Sequence, residues 1–562
     1  MNRNQNRFSS NPINLDIQRS MFNRNHGVKF SFNVGDVVPF YIDEVLPGDS
    51  AVVDTSKVVR LQPLVTPIMD QVMLDTYYFF VPNRLVWDHW KNFMGENDQS
   101  AWTPEVEYSV PTITSPSDGW KCGTIADYMG IPINQPNITV NALPFRGYAL
   151  ICDQWFRSEN LMEPVNVPKD DLNISGSNGS DQTIDIVKGG KPFVACKTFD
   201  YFTSCLPEPQ KGSDVSIGFN QIAPVATYSS YDLNPDFAVG KKLDPKYKSA
   251  IHFRRSNSSG IIEDWPASFT GDTKILPTGN LGYATSTSSS GNDNLLPVNL
   301  GVDLSNTLFS INALRTSFAV QRYLEKSARG GSRYIEMIKA MFGVTSPDAR
   351  MQRAEYLGGN RIYLNVNQVT QTSATQEDLT PQGNVVGMSH TDDVHSDFTK
   401  SFTEHGFVIG VAVARYNHTY QQGIERFWRR KSLYDYYNPS FANLGEQPVY
   451  TSEIFANVPS DEPDHVFGYN EAWADYRYKP SRVSGEMRSA YDTSLDMWHL
   501  ADDYSQMPML SAEWIREDKT NLDRCLAVTS SVSNQLIADF YINSAWARPM
   551  PLYSIPGLID HN

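Results

Sequence analysis

The stretch 35–94 constrains the fold more than any other part of this chain. It reads GDVVPFYIDEVLPGDSAVVDTSKVVRLQPLVTPIMDQVMLDTYYFFVPNRLVWDHWKNFM. Three apolar runs lie in it, at Val37–Val45, Val52–Leu64 and Val72–Val81. Each is rich in Val, Ile, Tyr and Phe and bounded by Gly, Pro or Asp, the pattern of strands and turns. The third alternates, with Val72, Leu74, Thr76, Tyr78 and Phe80 on one face and Gln71, Met73, Asp75 and Tyr77 on the other, so it predicts a half-buried strand. Pro82 ends it, since proline cannot donate to a ladder. Val86, Trp90, Phe93 and Met94 then recur at helical spacing, which predicts a short amphipathic helix. The sheet begun here needs a partner face from later strands.

Those strands lie far away. GFVIGVAVA at Gly406–Ala414 is an unbroken apolar run, as in a central strand buried on both faces. RIYLNVNQV at Arg361–Val369 and QLIADFYINSAWA at Gln535–Ala547 also read as strands. Between the strand-rich ends, 95–206 is loop-rich, with one helix predicted over 145–159. Asp171, Asn173, Ser175 and Gly176 echo a calcium loop, but Gln182 stands where a bidentate acid belongs, so a solvated turn is expected. Residues 207–300, with six successive hydroxyl residues at Thr285–Ser290, read as a surface excursion. The Lys241–Arg255 basic cluster within it reads as a solvated loop face. Two helices are predicted in 306–343. Ile311, Leu314, Phe318, Val320 and Leu324 form a buried stripe on the first, and Ser332 caps the second. This distribution predicts one discontinuous all-β sandwich with long loop and helix insertions.

Charge narrows the function. The chain has 47 Lys and Arg against 63 Asp and Glu, a net −16, which argues against a protein whose whole surface binds nucleic acid. Residues 1–29 run the other way. Arg3, Arg7, Arg19, Arg24 and Lys29 stand against Asp16 alone, +4, leaving 42 bases and 62 acids, −20, in the remainder. A basic arm on an acidic body suggests an interaction tail that faces DNA or clamps a neighbouring subunit. Five cysteines with no C-x-x-C spacing are expected to be reduced and buried. No apolar run is long enough for a membrane span, so no membrane insertion is expected.

Catalytic and cofactor motifs are missing from the sequence: it contains no H-E-x-x-H, no P-loop, no G-x-S-x-G and no G-x-G-x-x-G. No catalytic residue, metal or cofactor is assigned. His390 and His395, flanking Asp392 and Asp393, match no defined metal spacing and read as a polar loop. RFWRRK at Arg426–Lys431 sets Arg426, Arg429, Arg430 and Lys431 around Phe427 and Trp428. Such a segment suits either a single-stranded nucleic acid or a subunit interface. The many tyrosines and carboxylates leave a carbohydrate-binding or carbohydrate-hydrolysing sandwich as the alternative.

Longer strings carry a resemblance. IDEVLPGD at Ile42–Asp49, YYFFVPNRLVW at Tyr77–Trp87, RGGSRYIEMIKAMFGVTSPDARMQRAEYLGG at Arg329–Gly359, HTYQQGIERFWRR at His418–Arg430, WADYRYKPSRVSGEMRS at Trp473–Ser489 and RPMPLYSIPGLIDH at Arg548–His561 resemble the major capsid proteins of gokushoviruses. These are small icosahedral single-stranded DNA phages of the microvirus group. The resemblance fades only over 207–300. It implies an eight-stranded jelly roll and a non-enzymatic coat subunit. It divides the chain into a basic arm (1–34), first strands with loop insertions (35–206), a variable surface insertion at the three-fold axes (207–300), a helical insertion (301–360), remaining strands (361–547) and an extended tail (548–562). The implied partners are sixty copies of itself in a T=1 shell built through pentamers, packaged circular single-stranded DNA, a small basic DNA-binding protein, a minor pilot protein and a host surface receptor. Assembly is implied in the bacterial host cytoplasm.

Overall fold

A computed structural model of the chain describes residues 18–96, 107–213, 215, 225–227, 252–255, 262–264, 295–297, 300–302, 311–331, 333–344, 352–372, 382–459 and 462–553. The chain divides into two compact units, Met1–Lys211 with Glu325–Asn562, and Gly212–Leu324.

The first unit is built on two antiparallel sheets. Its strands are β1 (Ser20–Asn23), β2 (His26–Phe32), β3 (Asp36–Val45), β4 (Ser50–Leu61), β5 (Val72–Pro82), β6 (Phe193–Val194), β7 (Glu355–Tyr363), β8 (Val366–Thr370), β9 (Val385–Ser389), β10 (Thr391–Ser401), β11 (Gly406–Tyr416) and β12 (Leu536–Arg548). One sheet runs β10–β4–β12, with β1 and β2 both along the far side of β12. The other runs β7–β5–β11–β3–β6. Strand β4 shows the period of a half-buried strand: Ala51, Val53, Val59 and Leu61 are buried while Val52 and Val58 are exposed. Inward residues of both sheets form one core, in which Phe40 meets Phe540 edge-on at 5.0 Å and Tyr78 at 5.4 Å. This is a β-sandwich with widely separated strands.

A second core lies behind the β7–β5–β11–β3–β6 sheet. Phe79, Val81, Ile409, Val411 and Val413 pack there with helix α1 (Leu143–Ile151), Trp87 and Trp120. Gly147 of α1 makes the close approach possible, since a Cβ there would lie 3.2 Å from Ile409 Cδ1. Pro144 sits in the first turn of α1, where its missing N–H costs nothing. The helix continues as a π turn over Cys152–Phe156, close to the predicted 145–159.

Several expectations need correction. Strand β5 is not half-buried; apart from Tyr77, which is half-buried, its residues are buried on both faces. Asp75 is tolerated because Arg361 Nε and Arg415 Nη2 each lie 2.5 Å from its carboxylate oxygens. These arginines outweigh burial and hold its carboxyl below the usual range. The helix predicted after Pro82 is a 3-10 turn at Asn83–Leu85 and a single α turn at Trp90–Phe93, with Trp87 buried between. The run 361–369 belongs to two strands, β7 and β8, because β7 pairs with β5 and β8 with β9. His390–His395 is not a loop beyond its first residue. Thr391 onward is strand β10, where Asp393 lies 3.5 Å from the buried Lys57 ammonium and His395 Nδ1 3.1 Å from Asp397.

The second unit contains Val225–Thr227 paired with Leu300–Val302, and a small sheet of His252–Arg255 between Ile262–Asp264 and Leu295–Pro297. The side chains of the Lys241–Arg255 cluster lie outside the described residues. Helices α2 (Ile311–Arg329) and α3 (Tyr334–Phe342) occur as predicted. The stripe on α2 is not buried, however: Ile311, Leu314, Phe318 and Val320 are exposed. Ser332 lies outside the described residues, and Arg333 occupies the N-cap of α3.

Candidate assembly and nucleic-acid interfaces

The Arg426–Lys431 segment opens as a 3-10 turn, Arg426–Arg429, followed by further turns at Leu433–Asp435 and Pro439–Phe441. Its arginines point back into the protein. Arg426 Nη1 donates to Pro448 O at 2.7 Å and lies 3.6 Å from Glu453 Oε1. Arg429 Nη2 donates to Asp464 at 2.6 Å, and its guanidinium sits 4.1 Å from the Tyr450 ring centre. Arg430 pairs with Asp475 and stacks 4.3 Å from the Tyr476 ring centre. Glu453 accepts from Tyr201 OH at 2.8 Å, and burial raises its pKa despite Arg426. Phe427 and Trp428 stay exposed, with ring centres 4.8 Å apart. Lys431 is exposed, and its backbone N–H donates to Asp435 at 2.8 Å. A cavity of about 230 Å³ lies behind, bounded by Tyr201, Phe202, Arg426, Phe427, Glu453 and Tyr476. A phosphate arriving here would compete with carboxylates already in place.

Among the N-terminal residues, Arg3 and Arg7 lie outside the described residues. Arg19, just before β1, reaches Gly48 O and, at 3.2 Å, Ser50 Oγ. Arg24 pairs with the buried Asp43 and stands 5.9 Å from the Trp546 ring centre. Lys29 is 76% exposed, 3.3 Å from a half-exposed Asp539, a contact worth little in water. Strands β1 and β2 therefore tie residues 20–32 into the sheet beside β12. Among the described residues, the contacts of Arg19, Arg24 and Lys29 include none with Arg426–Lys431.

One charged cluster has no signature in the sequence. His418 follows β11 and is buried, with Nδ1 2.8 Å from Asp502 and Nε2 2.9 Å from Glu517. Lys197 Nζ is 3.4 Å from Asp502, Tyr504 OH donates to it at 2.7 Å, and Asn521 at 2.7 Å. Burial pushes the His418 pKa down, but Glu517 and Asp502 reverse this and raise it to about 9. Asp502 is held well below the carboxylate range because His418 and Lys197 outweigh its burial. The four charged residues come from segments up to 320 positions apart in the sequence, so spacing could not have grouped them. This cluster ties the end of strand β11 to the 500–520 segment.

Among the described residues, no group of His, Cys, Asp and Glu could hold a metal ion, and no helix is long and apolar enough to cross a membrane. Asp171 of the calcium-like stretch instead accepts from Trp87 Nε1 at 2.6 Å and contacts His89. All five cysteines are unpaired; Cys152, Cys205 and Cys525 are buried, whereas Cys122 is exposed. Burial raises the thiol pKa of Cys196 to about 11 and of Cys525 to about 12.

Comparison with known proteins places the chain. The family model described as capsid protein (F protein) matches residues 11–558. The chain is 43% identical over 550 residues to capsid protein VP1 of Spiroplasma virus 4, covering 96% of each. It is 40% identical over 589 aligned positions to capsid protein VP1 of Chlamydia phage 1, covering 99% of this chain and 98% of that one. It is 39% identical over 560 residues to capsid protein VP1 of Bdellovibrio phage phiMH2K, covering 98% of each. The match spans the sandwich, the insertions and the arginine–aromatic segment alike, and it agrees with the gokushovirus resemblance carried by the sequence strings. The chain belongs to the phage capsid protein (F protein) family and is a structural capsid protein.

Proposed function

We propose that the chain is the main shell subunit of a small phage, with sixty copies closing a T=1 shell, through pentamers, around circular single-stranded DNA. The observation that carries this reading is the nearly full-length match to capsid proteins at 39–43% identity. A closed shell demands several distinct contacts per subunit, and the exposed aromatic side chains of the chain suit that demand. We read the sandwich as an eight-stranded jelly roll. Strand order supports this: β2, β12, β4 and β10 face β3, β11, β5 and β7. Successive members of this set change sheet at each step except from β5 to β7, as two nested Greek keys require. The carbohydrate-site alternative gains nothing from the comparisons.

The division of labour follows from charge. A body of −20 repels phosphate, so bulk neutralisation of the genome falls to a small basic DNA-binding protein, with a minor pilot protein as a further companion. The DNA-facing role of the arm rests on Arg3, Arg7 and Lys29, since Arg19 and Arg24 have partners within the sheet. The insertion within 207–300 serves attachment to a host surface receptor. Shells form in the bacterial cytoplasm and leave in the virion. Sedimentation of the expressed chain, alone and with its companions, tests the shell: fast-sedimenting closed particles are expected, and a monomer under every condition refutes it. Replacing Arg3 and Arg7 with Gln is expected to leave empty shells intact and to weaken the salt-dependent stability of filled ones. Loss of the empty shells would make the arm an inter-subunit clamp.

A further inference from the structure

Next to the Arg426–Arg429 turn, Trp428 is 71% exposed, Leu433 82% and Tyr434 72%. Tyr436, Tyr437 and Tyr476 are about half exposed in the same neighbourhood. Tyr437 and Tyr476 have ring centres 6.1 Å apart, the Arg430 guanidinium lies 5.6 Å from Tyr436 and 4.3 Å from Tyr476, and Trp428, Leu433 and Tyr434 stand within nine residues of Tyr436 and Tyr437 in the chain. At roughly 100 Å² of exposed side chain each, five rings and one leucine present on the order of 600 Å². One partner in a standard interface contributes about 800 Å², and isolated monomers rarely leave so much apolar surface bare in one neighbourhood.

Two occupants suit exposed rings beside arginines, a single-stranded nucleic acid or a second protein surface. Charge decides between them. The four bases of Arg426–Lys431, with Lys479 and Arg482 beside them, stand among five carboxylates, Glu425, Asp435, Glu453, Asp464 and Asp475, and Arg426, Arg429, Arg430, Lys479 and Arg482 are each ion-paired with one of these acids. Such a patch is nearly balanced in charge and has most of its cations already paired, so it offers phosphate little attraction. The Arg430–Asp475 ion pair holds Tyr436 and Tyr476 in place, so these two rings have little side-chain freedom left to lose on docking. Tyr, Trp and Arg in this arrangement are the composition of interface hot spots.

We propose that this patch is a subunit–subunit contact, covered in the shell by a second copy of the chain. The proposal rests on the capsid reading above and names one of the surfaces that reading requires. Its test is the triple variant Trp428→Ser, Leu433→Ser, Tyr434→Ser, made in the full chain together with the companion proteins. The expected result is at least a tenfold loss of shells, with an unchanged circular-dichroism spectrum and melting temperature of the free subunit. Oxidative footprinting of wild-type empty shells should protect Trp428 and Tyr434 relative to the free subunit. Shells at wild-type yield from the variant overturn the contact. So does protection that appears only in DNA-filled particles, which assigns the rings to the nucleic acid. A wild-type chain that forms no shell refutes the capsid reading itself, and the contact falls with it.

Discussion

The two sheets of the sandwich have strands of similar length but different backs. Strands β5, β11 and β3 of the β7–β5–β11–β3–β6 sheet are buried on both sides, by the shared core on one and by α1, Trp87 and Trp120 on the other. The β10–β4–β12 sheet shares the same core but leaves Val52, Val58, Val394, Ile537 and Tyr541 exposed behind it. The difference arises from the chain between β5 and β6, which folds over the first sheet and supplies its second core. One sheet is thus the rigid centre of the subunit. The other keeps a free face, and strand β12 at its centre is flanked by the N-terminal strands.

Removing what anchors the covered sheet should have the largest effect. His418→Gln leaves Asp502 and Glu517 buried with one fewer partner, and we expect a loss of about 3–5 kcal/mol in chemical denaturation. The same residue sets a pH dependence. Its folded pKa of about 9 lies above the ordinary value of 6.5, so its contribution is complete below about pH 6.5 and is lost as pH rises through about 9. The melting temperature of wild type should fall across that window, and His418→Gln should flatten this fall. Asp502 titrates with the opposite sign: held low, it contributes stability above the ordinary carboxylate range that is lost on further acidification.

Ile409→Ala comes next. Ile409 points from the central strand β11 into the second core against Gly147, and a loss of about 3 kcal/mol is expected. The same kind of change on the free face should be nearly silent: Val394→Ser, 77% exposed on β10, should change stability by less than about 0.5 kcal/mol. Equal losses at Ile409 and Val394 would erase the distinction between the two sheets.

How much of this could be read from the sequence depended on where each residue finds its partner. Strand β11 was legible because an unbroken apolar run has one meaning, burial on both faces. Strands β3, β4 and β12 were legible from Val, Ile, Tyr and Phe in runs of strand length, a signal that is also local. Strand β5 misled because Asp75 and Tyr77 mark a wet face by composition, whereas Arg361 and Arg415, nearly 300 or more positions away, make burial tolerable there. The stripe on α2 has the period of a buried helix, yet period does not say whether the same chain covers it. At Arg426–Lys431 the residue types were visible, but Glu453, Asp464 and Asp475, which neutralise the arginines, were not. The His418 cluster depends wholly on such distant encounters.

Electron cryo-microscopy of the purified particles tests the central claim most directly. The account predicts closed T=1 shells of sixty copies, each a jelly-roll sandwich, with Trp428 and Tyr434 in density contiguous with a neighbouring copy. Particles of another symmetry, or a dispersed monomer in the presence of its companions, would contradict it.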